Sequence, residues 1–205
     1  MGGVWPDPTD VGDVYEPAED SDLLASVASE DLSPGDRVLD VGTGSGYVAG
    51  VAAAAGARVV ASDVNPHACR RAREDYGPGG DRLADGARPV DVVRADLCSP
   101  FRDDAFDAVL FNPPYLPTDP DEERDDWMAR ALSGGPSGLA VVERFLPAVG
   151  RVLVPGGFAL VLASSLAGVE AVVERADDAG LAAVALRDES YPFETLTVLK
   201  LLAGD

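Results

Sequence analysis

The sequence is poor in the residues that build disulfides and metal sites. Cys69 and Cys98 are its only cysteines, and His67 is its only histidine. Two cysteines cannot form a disulfide framework, and together with one histidine they fall short of the four ligands of a structural zinc site. We therefore expect neither covalent cross-links nor a protein-bound metal.

Long apolar runs are also lacking. Stretches such as Phe158–Ala163 and Leu196–Leu202 are far shorter than the roughly 20 residues needed to span a bilayer. The N-terminus, MGGVWPDPTD, has no basic region followed by an apolar stretch, so no secretory signal is expected. We predict a cytoplasmic protein without a membrane partner. Its 205 residues fit one domain, 1–205, with a flexible segment expected at 1–13.

Lysine is almost absent, with Lys200 the only one, and 36 acidic residues against 16 lysines and arginines give a net charge of −20. Phosphate binding needs clustered lysine and arginine, so this balance argues against nucleic acid and anionic lipid as partners. At molar salt, however, charges are screened within about 3 Å, so the acidic surface repels a polyanion less than it would in dilute buffer. The composition favours a salt-loving source, a halophilic archaeon, and we expect no stable nucleic-acid binding.

Apolar runs alternate with helical patterns from Leu32 onward, which predicts a mostly parallel sheet with helices on both faces. The strands are predicted at Arg37–Val41, Arg58–Ser62, Val90–Arg94, Phe106–Phe111, Phe158–Ala163, Ala182–Leu186 and Leu196–Leu201. The helices are predicted at Pro17–Ser29, Tyr47–Ala55, Pro66–Tyr76, Leu139–Leu153 and Leu166–Ala179. Two loops are expected at 77–89 and 116–138, and the second is where a lid or substrate wall would lie.

A glycine-rich turn follows the first predicted strand, with Gly42, Gly44 and Gly46 in LDVGTGSGYVAG. Such a turn lets a ligand approach the backbone and points free N–H groups at it. A dinucleotide fingerprint would need its third glycine where Tyr47 stands. Asp40 would repel a pyrophosphate but suits an ammonium group. The alternative is a turn that only packs helix against strand.

Acidic residues also end the second and third predicted strands. Asp63 is placed to accept both hydroxyls of a ribose, whereas the alternative role of capping the next helix suits Asn65 better. Asp96 can accept from an adenine amine while Leu97 lies against the ring, although Asp96 is also a plausible turn residue. Together with the glycine turn, these carboxylates outline a pocket for a nucleoside with a cationic amino-acid tail, S-adenosylmethionine.

The fourth predicted strand ends in FNPPY. The side-chain oxygen of Asn112 and the carbonyl of Pro113 could accept both hydrogens of an amide or aromatic amine and turn its lone pair towards a methyl donor. Pro113 and Pro114 would fix the direction of those carbonyls, and Tyr115 would offer a flat face to a planar group. We predict Asn112, Pro113 and Tyr115 as the catalytic residues. The alternative is an ordinary proline-rich turn.

The motifs LDVGTGSG, ASDVNP, RADL and FNPPY have the order and spacing of the class I S-adenosylmethionine-dependent methyltransferases, which the sequence resembles. VYEPAEDSDLL and SGGPSG resemble the eukaryotic and archaeal branch of the HemK-like release-factor glutamine methyltransferases. The resemblance implies a Rossmann-like α/β fold, strand order 3-2-1-4-5-7-6 with the last strand antiparallel. It implies that Asn112, Pro113, Pro114 and Tyr115 hold the glutamine of a Gly-Gly-Gln loop. The cofactor residues are then expected to be Ser21, Asp40, Gly42, Gly44, Asp63, Asp96, Leu97 and Asn112.

The resemblance also implies two protein partners: a class-1 translation release factor as substrate and a small zinc-binding activator as heterodimer subunit. The implied strand order leaves Val90–Arg94 at an edge, which invites pairing with a partner strand; alternatively, helices and the acidic Asp91 and Asp96 guard it. Bacterial relatives dock the release factor with an N-terminal domain, which is not expected here. Binding of the factor would therefore come from residues 115–138 or from a partner.

The FNPPY motif leaves one substrate alternative open. It also occurs in enzymes that methylate adenine amines in DNA and guanine amines in RNA, so a nucleic-acid methyltransferase is the second hypothesis. The motif indicates the kind of nitrogen rather than the substrate that carries it. No general base is assigned, because the departing proton can leave to water.

Overall fold

Seven apolar runs pair into one sheet in this computed structural model, which describes residues 14–119, 121 and 126–203. The strands are β1 (Arg37–Val41), β2 (Arg58–Asp63), β3 (Asp91–Arg94), β4 (Phe106–Phe111), β5 (Leu153–Ser164), β6 (Leu181–Ser190) and β7 (Thr195–Ala203). Their order is β3-β2-β1-β4-β5-β7-β6. β7 is antiparallel to both neighbours, and the pairs among β1 to β5 are parallel. The predicted fold class and strand order are confirmed.

Helices cover both faces of the sheet. They are α1 (Glu19–Asp31), α2 (Tyr47–Ala54), α3 (Pro66–Tyr76), α4 (Trp127–Leu132), α5 (Ala140–Val152) and α6 (Val169–Asp178). Residues of α1 and α2 share one buried cluster and those of α5 and α6 share the other. As predicted, α3 begins at Pro66, and Asn65 caps it by accepting the N–H of His67 at 2.9 Å. Within the described residues, no helix is long and apolar enough to cross a membrane.

The central strands are apolar on both faces. Val38 of β1 and Leu110 of β4 pack into the cluster with α1 and α2, whereas Leu39 and Val109 pack into the cluster with α5 and α6. All four side chains are fully buried, as expected for parallel strands between two helical layers. Polar side chains can therefore reach a ligand only at the strand ends, and this fold places the ligand outside the carboxyl ends.

The boundaries differ from the predictions on the antiparallel side of the sheet. β5 covers Leu153–Ser164 rather than Phe158–Ala163, and its first residue already pairs with Phe106 of β4. The predicted helix end at Leu153 is therefore one residue too long. β6 extends well beyond the predicted Ala182–Leu186, because its whole length pairs with β7. The pairing keeps the second half of β6 in a strand although its side chains are mostly polar.

The predicted loop 116–138 is not wholly irregular, because it contains α4. Asp126 caps that helix by accepting the N–H of Ala129 at 2.8 Å. After α4 the chain returns to the end of the FNPPY stretch: Leu116 donates to the carbonyl of Leu132 at 3.0 Å and accepts from Gly134 at 2.9 Å. The segment thus forms a wall beside the strand end. The flexibility predicted for 1–13 falls outside the described residues.

Candidate active site

A cavity of about 660 Å³ lies at the carboxyl edge of β1, β2, β3 and β4. Its walls include the glycine turn, the ends of these strands, the segment before α1, and α4. Every side chain or turn residue predicted for the site lines this one cavity: Ser21, Asp40, Gly42, Gly44, Asp63, Asp96, Leu97, Asn112, Pro113, Pro114 and Tyr115. The structure thus brings the predicted residues together, while their individual roles remain predictions.

The glycine turn has the predicted shape but not the predicted free donors. Gly42, Gly44 and Gly46 all have positive φ, at +64°, +55° and +86°, a backbone region that favours glycine. The N–H of Gly44 donates to a carboxylate oxygen of Asp63 at 3.0 Å, and that of Gly46 donates to the carbonyl of Thr43. The expectation of free N–H groups is therefore wrong for Gly44 and Gly46, because neighbouring acceptors already take their N–H groups.

Asp40 is a buried carboxyl group at the end of β1. Its side chain is 2 % exposed and accepts the hydroxyl of Thr43 at 2.5 Å. Burial raises the pKa of Asp40 to about 7, with a further contribution from the charge of Asp63. A cation placed against Asp40 would favour its ionised form. The residue is thus suited to the ammonium group for which the sequence predicted it.

Asp63 connects the end of β2 to two backbone segments. One of its oxygens accepts from Gly44 and the other accepts from Asn65, at 2.8 Å. Burial raises the pKa of Asp63 above its ordinary value, although these backbone hydrogen bonds favour its charged form. Each carboxylate oxygen can accept a second hydrogen bond. Asp63 can therefore hold the turn in place and still accept hydroxyl groups from a ligand.

Asp96 lies at the cavity edge beyond β3 and forms an ion pair. One oxygen of Asp96 is 2.6 Å from Nη2 of Arg144, a residue of α5, and both side chains are partly exposed. Leu97, the next residue, has a φ of +50°, an uncommon conformation for a branched side chain. The second oxygen of Asp96 can still accept from an amine. The sequence did not indicate that Arg144 would lie here.

Asn112 follows the last residue of β4 and carries an unsatisfied acceptor. Its side-chain N–H₂ group donates to Oδ2 of Asp20 at 3.0 Å. Its side-chain oxygen is buried and has no hydrogen-bond partner. Because a buried acceptor without a partner is costly, such a group is a natural site for a ligand donor. β4 pairs with both neighbours up to Phe111, so Pro113 and Pro114 lie beyond the ladder and disrupt no hydrogen bond in it.

Tyr115 is half-buried beside a glycine of the SGGPSG patch. Burial, with the charges of Asp20 and Glu194, raises the pKa of Tyr115 well above its ordinary value, so the phenol stays neutral. Gly138 has a φ of +75°, and a Cβ atom there would lie 2.5 Å from the carbonyl oxygen of Tyr115. Any larger residue at 138 would therefore displace the backbone at Tyr115. This is a physical reason for the glycine at this position.

The segment before α1 supplies a residue that the sequence did not single out. Asp20 is 6 % exposed, and its Oδ1 accepts both the N–H and the hydroxyl of Ser21, at 2.6 and 3.2 Å. Burial, followed by the charge of Asp20, raises the pKa of Tyr15 to about 12. Asp20 stands in the motif quoted above, but only the fold brings it against Asn112.

Two further cavity residues come from distant parts of the chain. Glu194, in the turn between β6 and β7, accepts the hydroxyl of Ser164 at 2.8 Å. Trp127 of α4 is 3 % exposed, and its ring nitrogen is buried without a partner. No sequence pattern marks either residue, because the first belongs to a hairpin turn and the second to the predicted loop.

The cavity is acidic. Five carboxylates line it, together with two arginines among the described residues: Asp20, Asp40, Asp63, Asp96 and Glu194 against Arg130 and Arg144. Arg144 is paired with Asp96, and the Arg130 guanidinium lies 5.5 Å from the ring centroid of Trp127. The field at this site therefore favours neutral or cationic ligand groups over phosphates.

Comparison with known proteins agrees with this geometry. Residues 39–113, which run from β1 to the FNPPY stretch, match the family described as Methyltransferase domain. A protein of Methanocaldococcus jannaschii, named as a protein N5-glutamine methyltransferase, is 33% identical over 192 residues, or 91% of this chain and 90% of that protein. The chain belongs to the HemK-like protein N5-glutamine methyltransferases. Methyltransferase HEMK2 of Homo sapiens is 32% identical over 92% of this chain and 89% of its own length.

A solved structure extends the comparison to three dimensions. It is described as the E. cuniculi Mtq2-Trm112 complex responsible for the methylation of the eRF1 translation termination factor. The chain matched in it is 28% identical, with a TM-score of 0.70 over 93% of this chain and 98% of that chain. This HemK-like methyltransferase is thus similar over nearly its whole length to a chain of a two-protein assembly.

The cofactor of this class I family is S-adenosylmethionine, which supplies an electrophilic methyl group. The described residues of the HemK-like chain fit it. Asp40 is a buried carboxyl that a cation would ionise, and Asp63 has lone pairs left for hydroxyl groups. A cavity of about 660 Å³ falls within the roughly 300–1,000 Å³ range of small-molecule sites.

Proposed function

We propose that this enzyme methylates the side-chain amide nitrogen of the glutamine in the Gly-Gly-Gln motif of a class-1 translation release factor. The observation that carries the proposal is the buried, unpartnered oxygen of Asn112 in the cavity wall. A primary amide has two N–H hydrogens, which need two acceptors in a buried site. The names of the M. jannaschii protein and the E. cuniculi complex support the same substrate.

The residues of FNPPY have separate roles in this proposal. The Asn112 side-chain oxygen and the Pro113 carbonyl accept the two hydrogens, which orients the nitrogen lone pair away from both of them. Pro114 stiffens this backbone, and the neutral ring of Tyr115 packs against the planar amide. The nitrogen gains one bond, to the methyl carbon that the sulfur of S-adenosylmethionine would release, and loses one proton, which passes to water. No side chain is assigned as general base.

The opposite part of the cavity holds the cofactor in this proposal. Asp40 pairs with its ammonium group, Asp63 accepts its ribose hydroxyls, and Asp96 and Leu97 face its adenine. Gly42 and Gly44 let its tail approach the backbone. The proposed cofactor residues are Ser21, Asp40, Gly42, Gly44, Asp63, Asp96, Leu97 and Asn112.

Methylation of an adenine or guanine amine in nucleic acid is the alternative substrate class, and the charge of the cavity disfavours it. Nucleic-acid enzymes bind phosphates with clustered lysine and arginine. Here the cavity-lining carboxylates outnumber the arginines, and Arg144 is already paired with Asp96. A glutamine side chain carries no charge and meets no such repulsion.

The proposed protein partner of the enzyme is a small activator protein that binds along β3. In the described residues, β3 pairs with β2 alone, and Val93 is 38 % exposed at that edge. The E. cuniculi assembly supports a two-protein arrangement. Val93→Lys should prevent co-purification of the activator, whereas Val184→Lys, on the opposite edge strand where Val184 is 49 % exposed, should not. Retained binding by the first variant would place the interface elsewhere.

The remaining features of the proposal concern the chain as a whole. We take residues 1–205 as one methyltransferase domain that acts in the cytoplasm, where release factors act. The net charge of −20 and the single lysine support a halophilic source.

Transfer of a labelled methyl group tests the substrate class. The full chain, co-expressed with its activator, is incubated with labelled S-adenosylmethionine and with release factor, total RNA or DNA in turn. The proposal predicts label on the release factor alone. Label on RNA or DNA, with none on the factor, would favour the nucleic-acid alternative.

A further inference from the structure

The hydrogen bonds around Asp20 leave it little freedom. Its Oδ1 accepts twice from Ser21, and its Oδ2 accepts the side-chain N–H₂ group of Asn112 at 3.0 Å. With 6 % of its surface exposed, Asp20 has almost no access to water. The carboxylate is therefore a fixed acceptor beneath the Asn112 amide.

A fixed acceptor decides which way the Asn112 amide faces. The oxygen and nitrogen ends of an asparagine side chain have nearly the same shape, so packing alone distinguishes them poorly. An ionised carboxylate can only accept hydrogen bonds. If the amide were turned over, its oxygen would lie about 3 Å from Oδ2 of Asp20, and two acceptors would face each other. Asp20 thus selects the orientation that leaves the Asn112 oxygen available.

We propose that Asp20 is a positioning residue that keeps the Asn112 side-chain oxygen turned towards the substrate amide; this inference rests on the proposed function. In the opposite orientation, Asn112 would present N–H groups to the N–H groups of the glutamine. That arrangement removes one of the two acceptors and repels the substrate nitrogen. Only the orientation that Asp20 selects is productive, although Asp20 need not touch the reacting atoms.

The direct test is Asp20→Asn with Glu19→Gln as matched control, since Glu19 is the exposed neighbour on the same helix turn. An asparagine at position 20 can face Asn112 with either end, so the selection is lost. We expect kcat to fall about ten- to a hundredfold, the range for a hydrogen bond to a charged group. KM for the release factor and affinity for S-adenosylmethionine should change less than about threefold. Glu19→Gln should retain wild-type kcat.

Two further measurements separate positioning from a general structural role. Asp20→Asn in an Asn112→Ala background should cause no additional loss of rate, because nothing remains to be positioned. Asp20→Glu, which keeps the carboxylate, should be more active than Asp20→Asn. Additive losses in the double variant, or equal activity of the two Asp20 variants, would overturn the inference.

The side-chain amide signal of Asn112 in NMR spectra gives a readout that does not depend on activity. A charge-assisted hydrogen bond shifts one amide proton downfield, so Asp20→Asn should move this signal upfield, whereas Glu19→Gln should not. If the release factor is not the substrate, this shift is still expected and only the proposed function fails. If the signal is the same in wild type and Asp20→Asn, the positioning role is refuted whatever the substrate.

Discussion

Replacing Asp40 by asparagine should stabilise the unliganded protein while weakening its cofactor site. Burial raises the pKa of this carboxyl group to about 7 in the folded protein, from an ordinary value of 3.8. Between these values the folded state binds more protons than the unfolded state, so stability falls as pH rises. Relative to low pH, where both states bind the proton, the raised pKa of Asp40 lowers the stability by about 2 kcal/mol at pH 5 and by about 4 kcal/mol at pH 7. The difference is about 2 kcal/mol.

Urea unfolding of wild type and Asp40→Asn at pH 5 and pH 7, at one salt concentration, measures this cost. The asparagine amide introduces its own packing and hydrogen-bond changes, but these do not vary with pH. The stability advantage of the variant should therefore grow by about 2 kcal/mol from pH 5 to pH 7. Asp85→Asn, which removes the same charge at an exposed position, should show no such growth.

Cofactor binding should change in the opposite direction. Loss of the ion pair should lower the affinity for S-adenosylmethionine about ten- to a hundredfold by titration calorimetry. In the wild type, affinity should rise from pH 6 to pH 8 as Asp40 ionises. A pH-independent stability difference between variant and wild type would refute the argument about the buried carboxyl. Full affinity in Asp40→Asn would refute its role in binding.

Three other perturbations test the packing, the wall of the site and the surface charge. Gly50→Ala should lower the free energy of unfolding by about 1–3 kcal/mol, because its Cβ would overlap the ring of Tyr76. Gly150→Ala is the control: the nearest atom to its Cβ is 3.8 Å away, so the free energy of unfolding should rise by up to about 1 kcal/mol in the same urea experiment. Gly138→Ala should slow methyl transfer about ten- to a hundredfold by displacing Tyr115; an unchanged initial rate would contradict this. Raising KCl from about 0.1 M to about 1 M shortens the screening length from about 10 Å to about 3 Å. Because the chain has a net charge of −20, its melting temperature should then rise. A flat or falling Tm would count against the halophilic interpretation.

The sheet and the strand-end residues were predictable because their signals are local. β1 and β4 were predicted to the residue, since each is a short apolar run that breaks at a glycine or at Asn112. Residues that follow parallel strands must meet at one edge, so Asp40 and Asp63 were expected to share a pocket. Periodicity and turn chemistry were sufficient for this part of the site.

The features of the site that could not be predicted from the sequence depend on contacts between distant residues. Asp20 and Asn112 are 92 positions apart, and nothing in either local sequence indicates that one orients the other. Glu194 reaches the cavity because the β6–β7 hairpin runs far beyond its apolar core. The expectation of a free N–H group at Gly44 was wrong for a similar reason: the Asp63 carboxylate, at the end of β2, accepts a hydrogen bond from it.

Tandem mass spectrometry of the release factor tests the central claim most directly. Release factor incubated with this chain, its activator and S-adenosylmethionine should gain one methyl group on the side-chain nitrogen of the Gly-Gly-Gln glutamine. Asn112→Ala should reduce that gain to a small residual rate, supported by the Pro113 carbonyl alone, while still binding the cofactor. A methyl group on any other atom, or unchanged transfer by Asn112→Ala, would contradict the account.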